Sequence, residues 1–261
     1  MVEKVMEIVR ESSRLLKEKK FDVQSKGTAS NYVTSADMAV ETFLREHLPP
    51  LVENSVFIGE ESADKDYESK YQWIVDPIDG TANFIRDIGY SAISAALVRD
   101  GEPVLGVVYD PYRDEMFCAE KGSGAFLNGK RIRVSERDLS HSIFCTAMSL
   151  YKKELAKPCI NVIEKVYGKC DDIRRMGSAA LELVYLACGR VDLYFEIRVF
   201  PWDFAASELI IREAGGHTGT IGFDRTVFNR PIPLICANTA ENYEYLRSVV
   251  MGEIPQIPYA D

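Results

Sequence analysis

The stretch from Trp73 to Phe84 reads WIVDPIDGTANF, and it governs how the rest of the chain is interpreted. Its apolar start, residues 73–75, is typical of a buried strand, and the strand ends in two aspartates, Asp76 and Asp79. Asp-Pro and Asp-Gly are common turn pairs, so a simple turn is one interpretation. Unpaired carboxylates at the end of a buried strand are costly, however. Acidic residues elsewhere in the chain must therefore decide between a turn and a binding site.

The composition is that of a globular protein long enough to bury a large core. The chain has 261 residues, of which 46% are hydrophobic and 27% are charged, with a formal net charge of −9. This negative net charge argues against a protein that binds the phosphate groups of a nucleic acid. The six cysteines form no C-x-x-C pair and are expected to be reduced core residues. No run reaches the ~20 apolar residues of a membrane span, so we predict a cytoplasmic protein without membrane contact.

The hydrophobic pattern changes along the chain. It predicts amphipathic helices at 2–19 and 36–48, followed by strands with turn signals between them over 90–134. Beyond residue 150, helices and strands alternate, which is typical of an α/β arrangement. The helices predicted there span 151–167, 178–188, 203–214 and 241–250. We therefore expect a single unit over 1–261, with an α+β part at about 1–140 and an α/β part at about 141–261.

Further acidic residues stand where an apolar strand gives way to a turn or helix. Glu60 and Glu61 follow VFIG, and Asp203 lies in PWDFAASELI. Taken singly, the glutamates fit a solvated loop, and Asp203 fits a helix cap. Together with Asp76 and Asp79 they indicate Mg²⁺, which prefers carboxylate and carbonyl oxygens. A pair of such ions ~3.5–4 Å apart can activate a water and stabilise the leaving oxygen of a phosphoryl group.

Two competing motifs are excluded by spacing. An EF-hand loop has acidic residues at positions 1, 3 and 5 with glycine at 6, whereas here they occur at 1 and 4 with glycine at 5. The haloacid-dehalogenase phosphatases carry a nucleophilic aspartate in a D-x-D-G-T run. This chain has Asp79-Gly80-Thr81, but Pro77 stands at the nucleophile position. A covalent phosphoaspartate on this segment is therefore excluded.

The combined pattern resembles the signature of the inositol monophosphatase family, the Mg²⁺-dependent, lithium-sensitive sugar phosphatases. Its elements are Glu60-Glu61, the run DPIDGT at 76–81, Trp202-Asp203, eleven further residues and Gly215-Gly216. The similarity extends over nearly the whole chain. It implies a layered αβαβα sandwich, with an antiparallel sheet in the N-terminal half, a second sheet in the C-terminal half and the site at their junction. It also implies a homodimer.

The resemblance assigns metal ligands at two principal positions. Glu60, Asp76 and the Ile78 carbonyl would hold the first Mg²⁺. Asp76, Asp79 and Asp203 would hold the second, with Asp76 bridging. Glu60 would also contact a third, weaker ion through water, so that two to three ions occupy each site.

The resemblance also assigns catalytic and phosphate-binding residues. Thr81 and Asp37 would orient the attacking water, with Asp37 acting as the base behind the Thr81 hydroxyl. The phosphate would contact the backbone N–H groups of Gly80 and Thr81. Glu60 is counted among the catalytic residues because of the ions that it would hold. Lys26 matches a loop lysine that would approach the metals.

The substrate hydroxyls would be bound by a separate group of residues. By the resemblance these are Gly177, Ser178, Ala179 and Glu196, although the family usually has threonine where this chain has Ser178. An ordinary packed helix beginning with small residues is the alternative for 178–188. Arg174 and Arg175 could flank the entrance or simply solvate a strand end.

Several functions stay open at this point. The leading hypothesis is hydrolysis of an inositol monophosphate of the myo-inositol 1-phosphate type by metal-activated water. The second hypothesis is a sugar phosphatase, of single or dual specificity, that acts on fructose 1,6-bisphosphate. The third is a phosphatase that acts on 3′-phosphoadenosine 5′-phosphate. In each case the partner is a small phosphorylated molecule. A regulator that binds metal and sugar phosphate without catalysis is the alternative of a different class.

Overall fold

The computed structural model describes residues 1–17, 22–25, 32–62, 66–148 and 153–254. The helices are Val2–Ser12 (α1), Ser35–His47 (α2), Thr81–Ile85 (α3), Ala156–Tyr167 (α4), Ala179–Ala187 (α5), Pro201–Glu213 (α6) and Ala240–Glu253 (α7). The strands are Val23–Ser25 (β1), Tyr32–Thr34 (β2), Ser55–Gly59 (β3), Tyr71–Asp79 (β4), Ala92–Arg99 (β5), Glu102–Asp110 (β6), Glu115–Glu120 (β7), Gly124–Leu127 (β8), Lys130–Ile132 (β9), Ile143–Ala147 (β10), Asp172–Arg174 (β11), Leu193–Val199 (β12), His217–Gly219 (β13) and Ile232–Ala237 (β14). None of the helices in these ranges is both long and apolar enough to span a bilayer.

The first sheet has the strand order β3-β4-β5-β6-β7-β8-β9. Neighbouring strands are antiparallel, except that β3 runs parallel to β4. The β4–β5 register pairs Asp76 with Ser94 and Asp79 with Ala92, and it shifts between these two pairs. In a regular strand, residues three apart point to opposite faces. The irregularity therefore lets Asp76 and Asp79 face the same space.

The second sheet has the order β11-β10-β12-β14-β13. Strand β10 runs parallel to β11 and β12, whereas β14 runs antiparallel to β12 and β13. The α/β prediction for this half therefore holds only for part of the sheet. Strand β12 continues through Phe200 into α6, which places the start of α6 beside the end of β4.

Three apolar clusters separate the layers. Helices α1 and α2 cover one face of the first sheet, where Val9, Leu44 and Trp73 are buried. Helices α5 and α6 lie between the two sheets, and α4 and α7 cover the outer face of the second sheet. The order is helix, sheet, helix, sheet, helix, which confirms the predicted αβαβα sandwich.

Several helix ends differ from the predictions, and helix α7 extends to Glu253 rather than residue 250. Helix α1 ends at Ser12 and continues as a 3₁₀ helix to Lys17, so it is shorter than predicted. Helix α4 begins at Ala156, after a short 3₁₀ helix at Lys153–Leu155. Helix α6 begins at Pro201, since proline is favoured in the first helical turn. The cysteines are free, as predicted, and four of the six are buried.

Candidate functional site

Three aspartates from two distant parts of the chain meet where the two sheets join. Asp76 and Asp79 come from the end of β4, and Asp203 comes from the first turn of α6. One carboxylate oxygen from each lies within 4.8 Å of the others. Asp203 also accepts the Phe200 N–H at 2.9 Å. Asp203 is therefore not the cap residue that the sequence suggested, because Phe200 occupies the cap position. As the third helical residue, Asp203 is held at the helix start by the Phe200 N–H.

The turn after β4 has a conformation that requires glycine. Gly80 has φ +91°, in the left-handed region. A Cβ there would lie 3.1 Å from the carbonyl oxygens of Gly177 and Tyr90. Within the same turn, Asp76 Oδ1 accepts the Ile78 N–H at 2.9 Å. This turn brings two carboxylates and the Ile78 backbone to one side of the site.

Asp79 is held by the start of α5. The Ser178 hydroxyl donates to Asp79 Oδ2 at 2.5 Å, and the Ala180 N–H donates to the same oxygen at 2.7 Å. The Ser178 oxygen in turn accepts the Leu181 N–H at 3.4 Å and so caps α5. The helix start and the Asp79 carboxylate are thus fixed by one hydroxyl.

Burial and neighbouring carboxylates raise the pKa values of the three aspartates. Burial raises the pKa of Asp76 well above its usual range, and the charges of Glu60, Asp79 and Asp203 raise it further. Burial raises the pKa of Asp79 to about 6, although the Ser178 hydroxyl and the Ala180 N–H oppose the change. Burial, followed by the charge of Asp79, also raises the pKa of Asp203 well above normal. A divalent cation would relieve this repulsion, and the hard oxygen donors fit Mg²⁺.

Glu60 reaches the same cleft from the first sheet. It follows β3, and its N–H donates to the Val75 carbonyl at 3.0 Å, which extends the pairing of β3 with β4. Its side chain lines the cleft with the three aspartates. The structure therefore brings together the five positions for which the sequence predicted metal binding, namely Glu60, Asp76, Ile78, Asp79 and Asp203.

Thr81 and Asp37 lie beside this cluster. The Thr81 hydroxyl is 3.0 Å from the Ile78 carbonyl oxygen and 3.4 Å from Asp37 Oδ1. Asp37 is fully buried at the start of α2. Its Oδ2 accepts both the N–H and the hydroxyl of Thr34, at 2.8 and 2.5 Å, in a capping box. The capping box leaves Asp37 Oδ1 directed at Thr81.

The predicted substrate residues line the same cleft, which encloses about 140 Å³. Gly177, Ser178, Ala179 and Glu196 all contribute to it. Glu196 Oε2 accepts the Tyr194 hydroxyl at 2.6 Å, and burial raises the pKa of Glu196 to about 8. Burial thus favours the protonated form of Glu196. Lys26 lies outside the described residues.

Sequence reasoning missed Glu182, Tyr194 and Arg198, which also line the cleft. Glu182 Oε1 accepts the N–H groups of Met176 and Gly177, at 2.6 and 2.9 Å, and so shapes the loop before α5. Burial raises its pKa to about 7. The sequence signal that could have revealed Glu182 is an acidic residue inside the apolar run ALELVYLA.

The two arginines whose role the sequence left open occupy different places. Arg175 lines the cleft. Arg174 forms an ion pair with Asp172 outside the cleft lining.

Comparison with known proteins agrees with this geometry. A model of the inositol monophosphatase family matches residues 1–252. Nus factor SuhB of Escherichia coli (strain K12) is 43% identical over 197 residues, which are 75% of this chain and 73% of that protein. Inositol-1-monophosphatase of Rhizobium meliloti (strain 1021) is 40% identical over 238 residues, 89% of this chain and 87% of that protein.

A solved structure has the same fold as this chain. The crystal structure of extragenic suppressor protein suhB from Bartonella henselae superimposes with a TM-score of 0.88 at 33% identity. The match covers 97% of this chain and 98% of that one. The chain belongs to the inositol monophosphatase family.

Proposed function

We propose that this protein is a Mg²⁺-dependent phosphomonoesterase that hydrolyses an inositol monophosphate of the myo-inositol 1-phosphate type. The observation that carries the proposal is the meeting of Asp76, Asp79 and Asp203 within 4.8 Å. Buried acidic side chains without counter-charges are costly, and none of the described arginine or lysine residues forms an ion pair with these three. A bound cation is the simplest compensation.

The metal-binding residues are those that the family resemblance assigns, and the meeting of Asp76, Asp79 and Asp203 supports them. Glu60, Asp76 and the Ile78 carbonyl would hold one Mg²⁺, and Asp76, Asp79 and Asp203 a second. When bound, Mg²⁺ would supply Lewis acidity, activating a water and stabilising charge on the leaving oxygen. The Ser178 hydroxyl and the Ala180 N–H would keep Asp79 oriented as a ligand.

Thr81 and Asp37 would handle the proton of the attacking water. The Thr81 oxygen would accept a hydrogen bond from the water while its own proton points to Asp37 Oδ1. The 3.4 Å separation and the burial of Asp37 support this arrangement. Phosphate would pass directly to water by in-line attack, with no covalent enzyme intermediate.

The substrate would lie in the cleft against the acidic cluster and the start of α5. Its phosphate would contact the N–H groups of Gly80 and Thr81, and its ring hydroxyls the 177–179 segment and Glu196. A protonated Glu196 can donate as well as accept a hydrogen bond, which suits a hydroxyl. The Rhizobium meliloti relative, named an inositol-1-monophosphatase, supports this substrate class. A homodimer remains our expectation for the assembly.

A second candidate function is binding without turnover. The Escherichia coli relative is named a Nus factor rather than a phosphatase. In that case the site would hold metal and a phosphorylated ligand, but would not release phosphate. The presence of Thr81 and Asp37 beside the acidic cluster favours catalysis.

A phosphate-release screen tests the proposal. Wild-type protein in Mg²⁺ would be given inositol monophosphates, fructose 1,6-bisphosphate, other sugar phosphates and 3′-phosphoadenosine 5′-phosphate. We expect the highest kcat/KM with myo-inositol 1-phosphate. A higher kcat/KM with another substrate would reassign the specificity, and Mg²⁺ binding without any turnover would support the second candidate.

A further inference from the structure

Helix α2 carries two buried acidic side chains one turn apart, and only the first, Asp37, has a place in the proposed reaction. The second is Glu41, which is 3% exposed. A buried carboxylate is costly unless its oxygens are hydrogen-bonded. The groups that Glu41 binds therefore indicate what it does.

The partners of Glu41 lie mainly in the turn after β3. Glu41 Oε2 accepts the Glu61 N–H at 2.9 Å, and Oε1 accepts the Ser62 hydroxyl at 3.0 Å. Arg45, one turn along α2, donates to Oε1 at 2.8 Å. The carboxylate thus connects α2 to the two residues that directly follow Glu60.

The same turn is also supported from β4 and from within. Among the described residues, strand β3 lies at the edge of its sheet and pairs with β4. The Glu60 N–H donates to the Val75 carbonyl on the β4 side. The turn closes on itself through Ser62, whose oxygen accepts the Gly59 N–H at 3.0 Å. On the side facing α2, Glu41 and Arg45 attach the turn, since Arg45 also donates to the Ser62 hydroxyl oxygen.

Gly59 shows how closely Glu41 approaches. A Cβ at position 59 would lie 2.1 Å from Glu41 Oε2, far inside contact distance. The Gly59 backbone is not among the positive-φ positions, so backbone strain does not explain the glycine. The absence of a side chain at position 59 is what allows the Glu41 carboxylate to reach the turn.

We propose that Glu41 is a positioning residue for metal binding, which holds the 59–62 turn against α2 so that Glu60 is fixed beside the acidic cluster. This inference rests on the proposed metal site. It also makes α2 a common support, since the same helix presents Asp37 to Thr81 and fixes the turn that carries Glu60. Residues that orient metal ligands typically change metal affinity by about 10–100-fold when they are replaced.

The test measures metal binding directly. Mn²⁺ binding by electron paramagnetic resonance would be compared for wild type, Glu41→Ala, Glu41→Gln and the control Glu46→Gln, which changes an exposed glutamate on the same helix. We expect Glu41→Ala to weaken binding about tenfold or more, Glu41→Gln to weaken it less, and the control to match wild type. Phosphate release by Glu41→Ala should recover at high Mg²⁺.

Gly59→Ala provides a second, independent test of Mn²⁺ binding. Its added methyl should displace the carboxylate and weaken Mn²⁺ binding in the wild-type background. In the Glu41→Ala background, where the clash is gone, it should weaken binding no further. Additive losses would overturn the proposal.

Wild-type Mn²⁺ affinity in folded Glu41→Ala would also overturn it. If Glu41→Ala does not fold, as judged by circular dichroism, the comparison of Glu41→Gln with Glu46→Gln decides in its place. A wild-type protein that binds Mn²⁺ but releases no phosphate would contradict the proposed function, while the affinity difference still decides the role of Glu41.

Discussion

Replacing Ser178 with alanine removes the hydroxyl that donates to Asp79 Oδ2 at 2.5 Å. This hydrogen bond lowers the pKa of Asp79 against the effect of burial, which raises that pKa to about 6. A hydrogen bond to a charged group contributes about 1.5–3 kcal/mol, and one pKa unit corresponds to ~1.36 kcal/mol. The pKa of Asp79 should therefore rise by a further ~1–2 units in Ser178→Ala.

The consequence is a change in the pH dependence of metal binding. A metal ligand must be deprotonated, so protons compete with Mg²⁺ below the pKa of Asp79. The pH at which affinity begins to fall should be ~1–2 units higher in Ser178→Ala than in wild type. Near pH 6 the variant should bind Mg²⁺ about 10–100-fold more weakly, whereas near pH 9 the two proteins should differ little.

The assay is isothermal titration calorimetry of Mg²⁺ binding from pH 5 to pH 9, with Ser178→Thr as the control because it retains the hydroxyl. Alanine also removes the cap of α5, which costs about 1 kcal/mol of stability, so binding is measured rather than unfolding. A Ser178→Ala profile that coincides with wild type would refute the reasoning. If Ser178→Ala instead only raises the KM for the substrate in phosphate release, equally at every pH, Ser178 acts on the substrate hydroxyls.

The remaining predictions concern the metals and the course of the reaction. Asp203→Asn, whose amide oxygen can still accept the Phe200 N–H, should lower kcat about 100-fold or more because a metal ligand is weakened; near-normal phosphate release would exclude the assigned role. Millimolar Li⁺ added to Mg²⁺ should inhibit phosphate release, and an unchanged rate would count against the mechanism. Acid quenching during turnover with labelled substrate should trap no phosphoenzyme, whereas a labelled aspartate would restore the covalent alternative. Without metal, folded Asp79 binds its proton more tightly than the unfolded chain does, since its pKa is about 6 rather than 3.8. The free energy of unfolding in EDTA should thus fall by on the order of 2 kcal/mol between pH 4 and pH 6, relative to Asp79→Asn, as measured with urea; a rise would contradict the burial of Asp79.

The acidic cluster could be predicted from short motifs, because a carboxylate that directly follows a buried apolar strand costs free energy unless it binds something. Asp203, more than a hundred residues after Asp79, was grouped with it by its position after an apolar strand and then by the family pattern. The spacing of Asp76 and Asp79 could not show that the strand register shifts between them, which is what turns both to one side. Such an irregularity depends on the pairing with β5, a contact that no local pattern specifies.

The supports of the cluster were harder to predict than its members. The bond from Ser178 to Asp79 joins residues 99 positions apart, and the contact of Glu41 with Glu61 joins residues 20 apart. Glu41 appears in the sequence as an ordinary acidic residue of an amphipathic helix. The parallel pairing of β3 with β4 was likewise unpredicted, because both are short apolar runs without a directional signal.

The central claim is that the acidic cluster holds the metal on which phosphate release depends. The most direct measurement is phosphate release from myo-inositol 1-phosphate by protein stripped with EDTA and then titrated with Mg²⁺, alongside Asp76→Asn. We predict no release from the stripped protein, full recovery with Mg²⁺, and almost none from Asp76→Asn at any Mg²⁺ concentration. Release that persists after metal removal, or that survives the loss of the Asp76 carboxylate, would contradict the account.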